Sequence, residues 1–430
     1  MLKRLFGFDH TKTTIRREIV AGITTFLTMS YILAVNPTMF GLLDGMPSGA
    51  VFTSTTLAAI IGCLAMAFLG KLPFGLAPGM GLNAFFVYSV CLGMGYSWQF
   101  ALTAVFIEGI IFILLTLGNI REAIVNAIPQ SLRNAIGAGI GLFIAFIGLS
   151  SAGVVIHDDA TLVALGDITS GSALLALIGL IITSLLYMRN VPGSILIGIL
   201  ITMIIGMFMG VTEFKGVVSQ PESIAPIFCK FEFENIFTLD MLVVVLTFLF
   251  IDMFDTVGTL VGVCTKANMI DRDGKIYRIK QAFMADAIAT TAGSVLGTST
   301  TTTYIESAAG VAQGGRSGLT AFSVAVCFAI ALFFSPLFLS IPAAATAPAL
   351  IIVGLLMLEP IAKIQWHDFT EAIPAFICVI MMPFTYSISN GILLGMIAYV
   401  VINVMSGRYK KISTTMYILA LLFVLKYIFI

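Results

Sequence analysis

Apolar runs of roughly the length of a membrane-crossing helix, parted by short polar stretches, set the rhythm of this chain. A helix needs about 20 apolar residues to cross a bilayer. Runs of that kind fall at 18–40, 50–70, 97–118, 134–153, 172–188, 192–211, 239–264, 280–297, 318–339, 341–358, 371–387 and 389–406. Two further regions, 74–92 and 298–315, are interrupted by glycine, proline and threonine. A last piece, 414–430, is long enough either to span or to lie at the surface. Counting both interrupted regions, the pattern predicts an all-α polytopic membrane protein with fourteen crossing segments. Short extended stretches and half-helices are expected in the third and tenth.

Charge placement tests that count. Positive residues gather on the cytoplasmic side of membrane proteins. With the N-terminus inside, every one of the 22 lysines and arginines except Lys215, Lys230 and Lys426 falls on the inner side, Arg121, Arg272 and Lys275 among them. Dropping either interrupted region inverts all later loops and destroys the bias. The charged stretch 1–17 runs into the first span without a cleavage site, so that span reads as an uncleaved insertion signal.

Composition agrees: 59% of residues are hydrophobic and 10% charged, against roughly 25% charged in soluble domains. A soluble globule must cover itself with polar groups, and this chain lacks them. Zero net charge argues against a nucleic-acid partner. The six cysteines are scattered, without metal-ligand spacing, and read as small buried hydrophobes. No metal and no cofactor is expected. No span carries a Ser/His pair, HExxH or GxSxG, so the chain is not expected to be an enzyme.

Internal echoes suggest two halves. Ile128-Pro129 opens the fifth span and Ile341-Pro342 the twelfth; Gly193–Gly198 in the seventh resembles Asn390–Gly395 in the fourteenth. The interrupted regions are third in each half. Seven crossings is an odd number, so the second half must insert upside down. A 7+7 inverted repeat is an architecture of secondary transporters.

The interrupted regions carry the candidate chemistry. Pro73, Gly75, Pro78, Gly79 and Gly81 break the third span; the threonine run 298–303 favours extended chain in the tenth. Non-helical backbone at membrane depth survives only where protein or a wet cavity satisfies it. Paired broken segments in matching places of two halves point to a midplane solute site; the plain alternative is a pair of structural plugs. Carboxylates inside spans are Glu108, Asp252, Asp255, Asp286 and Glu306. Each costs about 2.5–3.5 kcal/mol at the bilayer centre and therefore has a partner or a task. Asp252, Asp255, Thr256 and Thr259 share one face of the eighth span. Carboxylates can accept paired hydrogen bonds from a flat base with ring N–H groups, and can load and release a proton. Asp255, Glu306, Asp252 and Asp286 are the proton-coupling candidates. Asn83, Phe85, Phe86, Thr259, Thr303 and Tyr304 complete the substrate-binding set with Asp255 and Glu306: the amide donates and accepts, and the rings can stack on a base. For Asp286 and Glu108 a structural role is the stronger alternative.

Four stretches, Ala77–Phe86, Phe250–Leu260, Thr298–Val311 and Ile341–Leu350, resemble the AzgA-like adenine/guanine/hypoxanthine permeases of the nucleobase–ascorbate (xanthine/uracil) transporter superfamily. The resemblance covers nearly the whole chain. It implies a core domain of spans one to four (1–125) and eight to eleven (239–340). It also implies a gate domain of spans five to seven (126–212) and twelve to fourteen (341–411), followed by a C-terminal segment (412–430). Motif matching carries the superfamily's two base-holding acids onto Asp255 and Glu306, and its third-span aromatic onto Phe86 or Phe85. The uracil/xanthine branch has a histidine one turn after the first acid; Thr259 stands here, so no proton route through histidine carries over.

The function implied is proton-coupled import of a purine nucleobase across the plasma membrane, with the N-terminus and the end of span fourteen cytoplasmic. A homodimer is possible. The runners-up are a uracil or other nucleobase permease and an anion exchanger of the same fold. Two carboxylates at the site argue against anions.

Overall fold

The computed structural model describes residues 2–118, 128–169, 171–266, 269 and 278–429. Arg121, Arg272, Lys275 and the expected domain boundary at 125/126 lie outside the described residues.

Helices form where the apolar runs predict them. Eight among the described residues are long and apolar enough to cross a membrane: Ile15–Phe40, Ser48–Gly70, Trp98–Leu117, Gln130–Ser151, Gly171–Met188, Gly318–Leu339, Ala343–Lys363 and Ile388–Met405. Leu239–Lys266 and Ile279–Leu296 supply spans eight and nine. Shorter apolar helices, Met80–Gly93, Ser194–Phe208 and Phe369–Phe384, supply three more; the last, Ser307–Ala312, belongs to the tenth. The chain is thus an all-α membrane protein of fourteen segments. Residues Thr414–Phe429 form a further helix.

Starts are written in local chemistry. Thr14, Ser97, Ser317, Asp368 and Ser387 cap spans one, four, eleven, thirteen and fourteen, each side chain accepting a backbone N–H. Pro129 and Pro342 stand at the caps of spans five and twelve. The first span, expected as one helix, is broken: it runs Ile15–Met29 and then Ile32–Phe40. Pro37 contributes no N–H to the second piece.

Among the described residues are four short strands: β1 (Leu76–Pro78), β2 (Val155–Asp158), β3 (Leu162–Leu165) and β4 (Thr301–Thr303). Strands β2 and β3 form a hairpin after span five. Strands β1 and β4 are the interrupted parts of spans three and ten, and they pair antiparallel.

The packing repeats with a shift of seven. Span one packs on eleven, and span eight on four; two packs on eleven, and nine on four; two also packs on nine. Among the others, five packs on thirteen and twelve on six; six on seven and thirteen on fourteen; seven on twelve and fourteen on five; and five on twelve. Each contact maps onto its counterpart, or onto itself, under the exchange of halves. An inverted repeat with a two-fold axis in the membrane plane requires this. The segment between the halves, residues 212–238, lies across the ends of spans four, nine and eleven: Glu232 N–H donates to Thr103, Cys229 N–H to the Val295 carbonyl and Ser219 N–H to the Phe333 carbonyl.

Candidate functional site

The two chain breaks meet. Leu76 faces Thr303, Ala77 faces Thr302 and Pro78 faces Thr301. The ladder continues at both ends, with Gly79 N–H on the Thr300 carbonyl and Tyr304 N–H on the Gly75 carbonyl, each at 3.0 Å. Groups the ladder leaves over find side chains. Gly75 N–H donates to Ser307 Oγ at 3.0 Å, and Leu76 N–H to Cys63 Sγ at 3.2 Å. The Pro78 carbonyl accepts from the Tyr304 hydroxyl at 2.5 Å and from Asn83 Nδ2 at 3.4 Å. Every backbone polar group at this depth needs such a partner.

Half-helices leave the ladder from Gly79 and Glu306, which stand at their N-terminal caps. The approach is close: a Cβ on Gly79 would lie 2.6 Å from Thr302 Cγ2 and 3.8 Å from Asp255 Oδ2. Glycine here lets β4 and span eight meet the start of the third-span half-helix.

The intramembrane carboxylates fall into two groups. Glu108, Asp252 and Asp286 are fully buried and serve the threonines of span ten and their neighbours. Thr300 donates to Glu108 Oε2 at 2.6 Å. The Thr256 hydroxyl lies 3.0 Å from Asp252 Oδ1, 3.2 Å from Asp286 Oδ2 and 2.7 Å from Thr302 Oγ1. Thr290 donates to the Thr301 carbonyl at 3.0 Å. Together these contacts pin β4 to spans four, eight and nine.

Asp255 and Glu306 form the second group. Both are half-buried, and both flank the ladder: Asp255 Oδ2 approaches Gly79 at the end of β1, and Glu306 caps the half-helix beyond β4. Glu306 Oε1 accepts from the Tyr31 hydroxyl at 2.9 Å. Ile305 beside it is 41% exposed.

The remaining sequence candidates lie in the wall. Asn83 is fully buried and accepts a short hydrogen bond from Ser299. Phe85 packs edge-on against Phe248 at 4.7 Å, Phe86 lies tilted on Phe40 at 5.0 Å, and neither ring is exposed. Thr259, Thr303 and Tyr304 are buried beside the ladder or one turn beyond Asp255. Two buried polar side chains with long-range hydrogen bonds escaped the sequence reading. Tyr31 sits at the break in span one, and an unbroken first helix gave no reason to single it out. Glu18, fully buried, accepts from Arg316 N–H, Ser317 N–H and the Thr320 hydroxyl, tying span one to span eleven. Its place at the first position of the apolar run 18–40 was the available signal.

Residues 16–415 match the Permease family. The chain belongs to that family. A putative permease of Methanocaldococcus jannaschii is 49% identical to this permease over all of its length and 98% of the relative's. The guanine/hypoxanthine permease PbuG of Bacillus subtilis is 46% identical, with both chains covered in full. The adenine permease AdeP of Escherichia coli is 44% identical, covering 100% of this chain and 96% of the relative. Among solved structures, the transmembrane domain of the cyanobacterial bicarbonate transporter BicA superposes with a TM-score of 0.66 at 16% identity. The superposition covers 89% of this permease and 98% of that chain. Murine Slc26a9, an anion transporter, superposes with a TM-score of 0.66 at 13% identity, over 93% and 70%. At such identities these two neighbours share the 7+7 inverted-repeat fold and nothing finer.

Proposed function

We propose that this permease imports a purine nucleobase, adenine, guanine, hypoxanthine or xanthine, by proton symport. One observation carries the reading. Of the six carboxylates Glu18, Glu108, Asp252, Asp255, Asp286 and Glu306, only Asp255 and Glu306 are half-buried rather than fully buried, and both lie beside the ladder where the two chain breaks pair. A neutral planar ring with adjacent N–H groups would donate to these acceptors, and either acid could take a proton along. Kinship with adenine and guanine/hypoxanthine permeases at 44–46% identity supports a purine over a pyrimidine.

Spans one to four and eight to eleven would act as the core that holds the base. Spans five to seven and twelve to fourteen would act as the gate against which it moves. The separate packing of the two sets supports this division. In this reading the N-terminus and the end of span fourteen face the cytoplasm of a cell bounded by the plasma membrane.

The test is uptake of labelled adenine, guanine, hypoxanthine, xanthine and uracil in a host lacking its own base transport, with and without a protonophore. Purine uptake that collapses with the protonophore is expected. Uptake of uracil alone, or of none of the five, overturns the substrate; purine uptake indifferent to the protonophore overturns the coupling.

A further inference from the structure

The geometry points to a second base-binding chamber on the outer side of the site, closed from it by an aromatic latch between the two sets of spans. A cavity of about 220 Å³ lies between spans one and three on one side and five, twelve and the 13–14 turn on the other. Its polar lining is Thr38, Tyr88, Ser150, Ser151, Thr346 and Tyr386; the rest is aliphatic or methionine, and no charged side chain of the described residues lines it. Its depth follows from chain direction. Tyr88 stands nine residues beyond Gly79, about two helical turns along the half-helix. Ser150 and Ser151 end span five, and Ala343 begins span twelve. In the topology set by lysine and arginine placement, these ends face outward.

The latch is built from residues no sequence pattern marks. Tyr386 lies between spans thirteen and fourteen with φ of 53°, a backbone that a bulky L-residue adopts only when its surroundings hold it there. Its ring meets Tyr88 edge-on at 5.9 Å, and Phe143 and Phe146 at 5.6 and 5.7 Å. Two more contacts cross the same seam: Ile388 N–H donates to Ser89 Oγ at 3.3 Å, and Thr247 and Ser389 hydroxyls lie 3.4 Å apart.

This chamber suits a small, flat, uncharged heteroaromatic ligand. Two phenol rings offer edges and faces to stack on; the Thr38, Ser151 and Thr346 hydroxyls donate to carbonyls of their own helices and keep lone pairs that accept from a ligand's ring N–H groups. The volume is below the roughly 300–1,000 Å³ of drug-sized sites, which fits a base better than its nucleoside. A base would rest here before the Tyr88–Tyr386 contact parts and admits it to Asp255 and Glu306. The inference rests on the purine reading.

A cysteine-labelling experiment on intact cells separates the two. In full-length Cys229→Ser protein, which lacks the exposed native thiol, Ser150→Cys is reacted with a membrane-impermeant maleimide with and without each of the four purines. Thr346→Cys serves if the first variant does not fold. The base is expected to slow labelling several-fold, equally in a Glu306→Gln background where the inner site is disabled, and Tyr386→Ala is expected to remove the protection. Protection that disappears with Glu306→Gln assigns the effect to the inner site and overturns the chamber. Uptake of any of the four purines by the Cys229→Ser protein, with no protection by the purine that is taken up, overturns the chamber alone; absence of protection together with no uptake of any of the four overturns the chamber and the purine reading. Labelling only in inside-out vesicles overturns its outward placement.

Discussion

Asn83 and Glu306 both lie near the starts of the half-helices that leave the β1–β4 ladder, one in each half of the repeat. Asn83 is fully buried and joined to Ser299 and the Pro78 carbonyl. Glu306 is half-open, with Tyr31 on one oxygen. The first half therefore contributes scaffold: glycine for close approach, an amide cross-tie and two packed phenylalanines. The second half contributes the half-open acids, Asp255 and Glu306, while the first half's own acids, Glu18 and Glu108, are fully buried ties to spans eleven and ten. A symmetric backbone has been given asymmetric chemistry. Symmetry supplies the meeting point of the breaks, and side chains specialise once that point exists.

The comparison can be broken most directly at the open acids. Asp255→Asn and Glu306→Gln should each lower base uptake roughly 10–100-fold, the scale of one or two charge-assisted hydrogen bonds. Purine uptake assays measure this; normal uptake in both variants ends the assignment. The buried acids should respond differently. Thr256→Val withdraws the hydroxyl shared by Asp252, Asp286 and Thr302 and should cost roughly 1–3 kcal/mol of stability. The loss would be read as a lower melting temperature in detergent; a fall in uptake at unchanged stability would move that cluster into the transport machinery. Smaller still is Tyr31→Phe, which removes one hydrogen bond to Glu306. At about 1 kcal/mol, KM should rise about five-fold with little change in maximal rate; an unchanged KM would leave Tyr31 as packing.

The least effect is expected at the rim. Asp368 lies outside the spans, and its carboxyl is held down to about 2 by the Thr370 hydroxyl and then by the Arg408 guanidinium. A value below the ordinary 3.8 means that its contribution is fully present above about pH 4 and drains away as pH falls toward 2. Asp368→Asn should shift the melting temperature at neutral pH by an amount near the limit of detection, and should flatten that acid dependence. A large loss of uptake would mean that the outer shell is coupled to the site.

Much of this arrangement is legible from residues alone. Apolar run length sets the spans, lysine and arginine placement forces the two broken regions to count, and the i, i+3, i+4, i+7 spacing puts Asp252, Asp255 and Thr256 on one face. Other features depend on tertiary contact. The register of Leu76 on Thr303 is decided by two segments over two hundred residues apart. The break at Ser30–Tyr31 is hidden in a run whose hydrophobicity is continuous. Whether an acid is open or closed depends on neighbours such as Thr300 and Thr256, so periodicity could place Asp255 and Asp252 together without telling them apart. The Tyr88–Tyr386 contact joins two aromatics that local pattern reads as packing.

The ladder between β1 and β4 has a mechanical consequence. It is a cross-brace that fastens the threonine strand leading to Glu306 in one half to the strand flanked by Gly75 and Gly79 in the other, so the wall of the proposed site would travel as a single carriage. A stroke that pulled the two strands apart would have to strip backbone hydrogen bonds inside the lipid slab, where no water waits to replace them. Whatever shuttling this chain performs must slide the carriage whole.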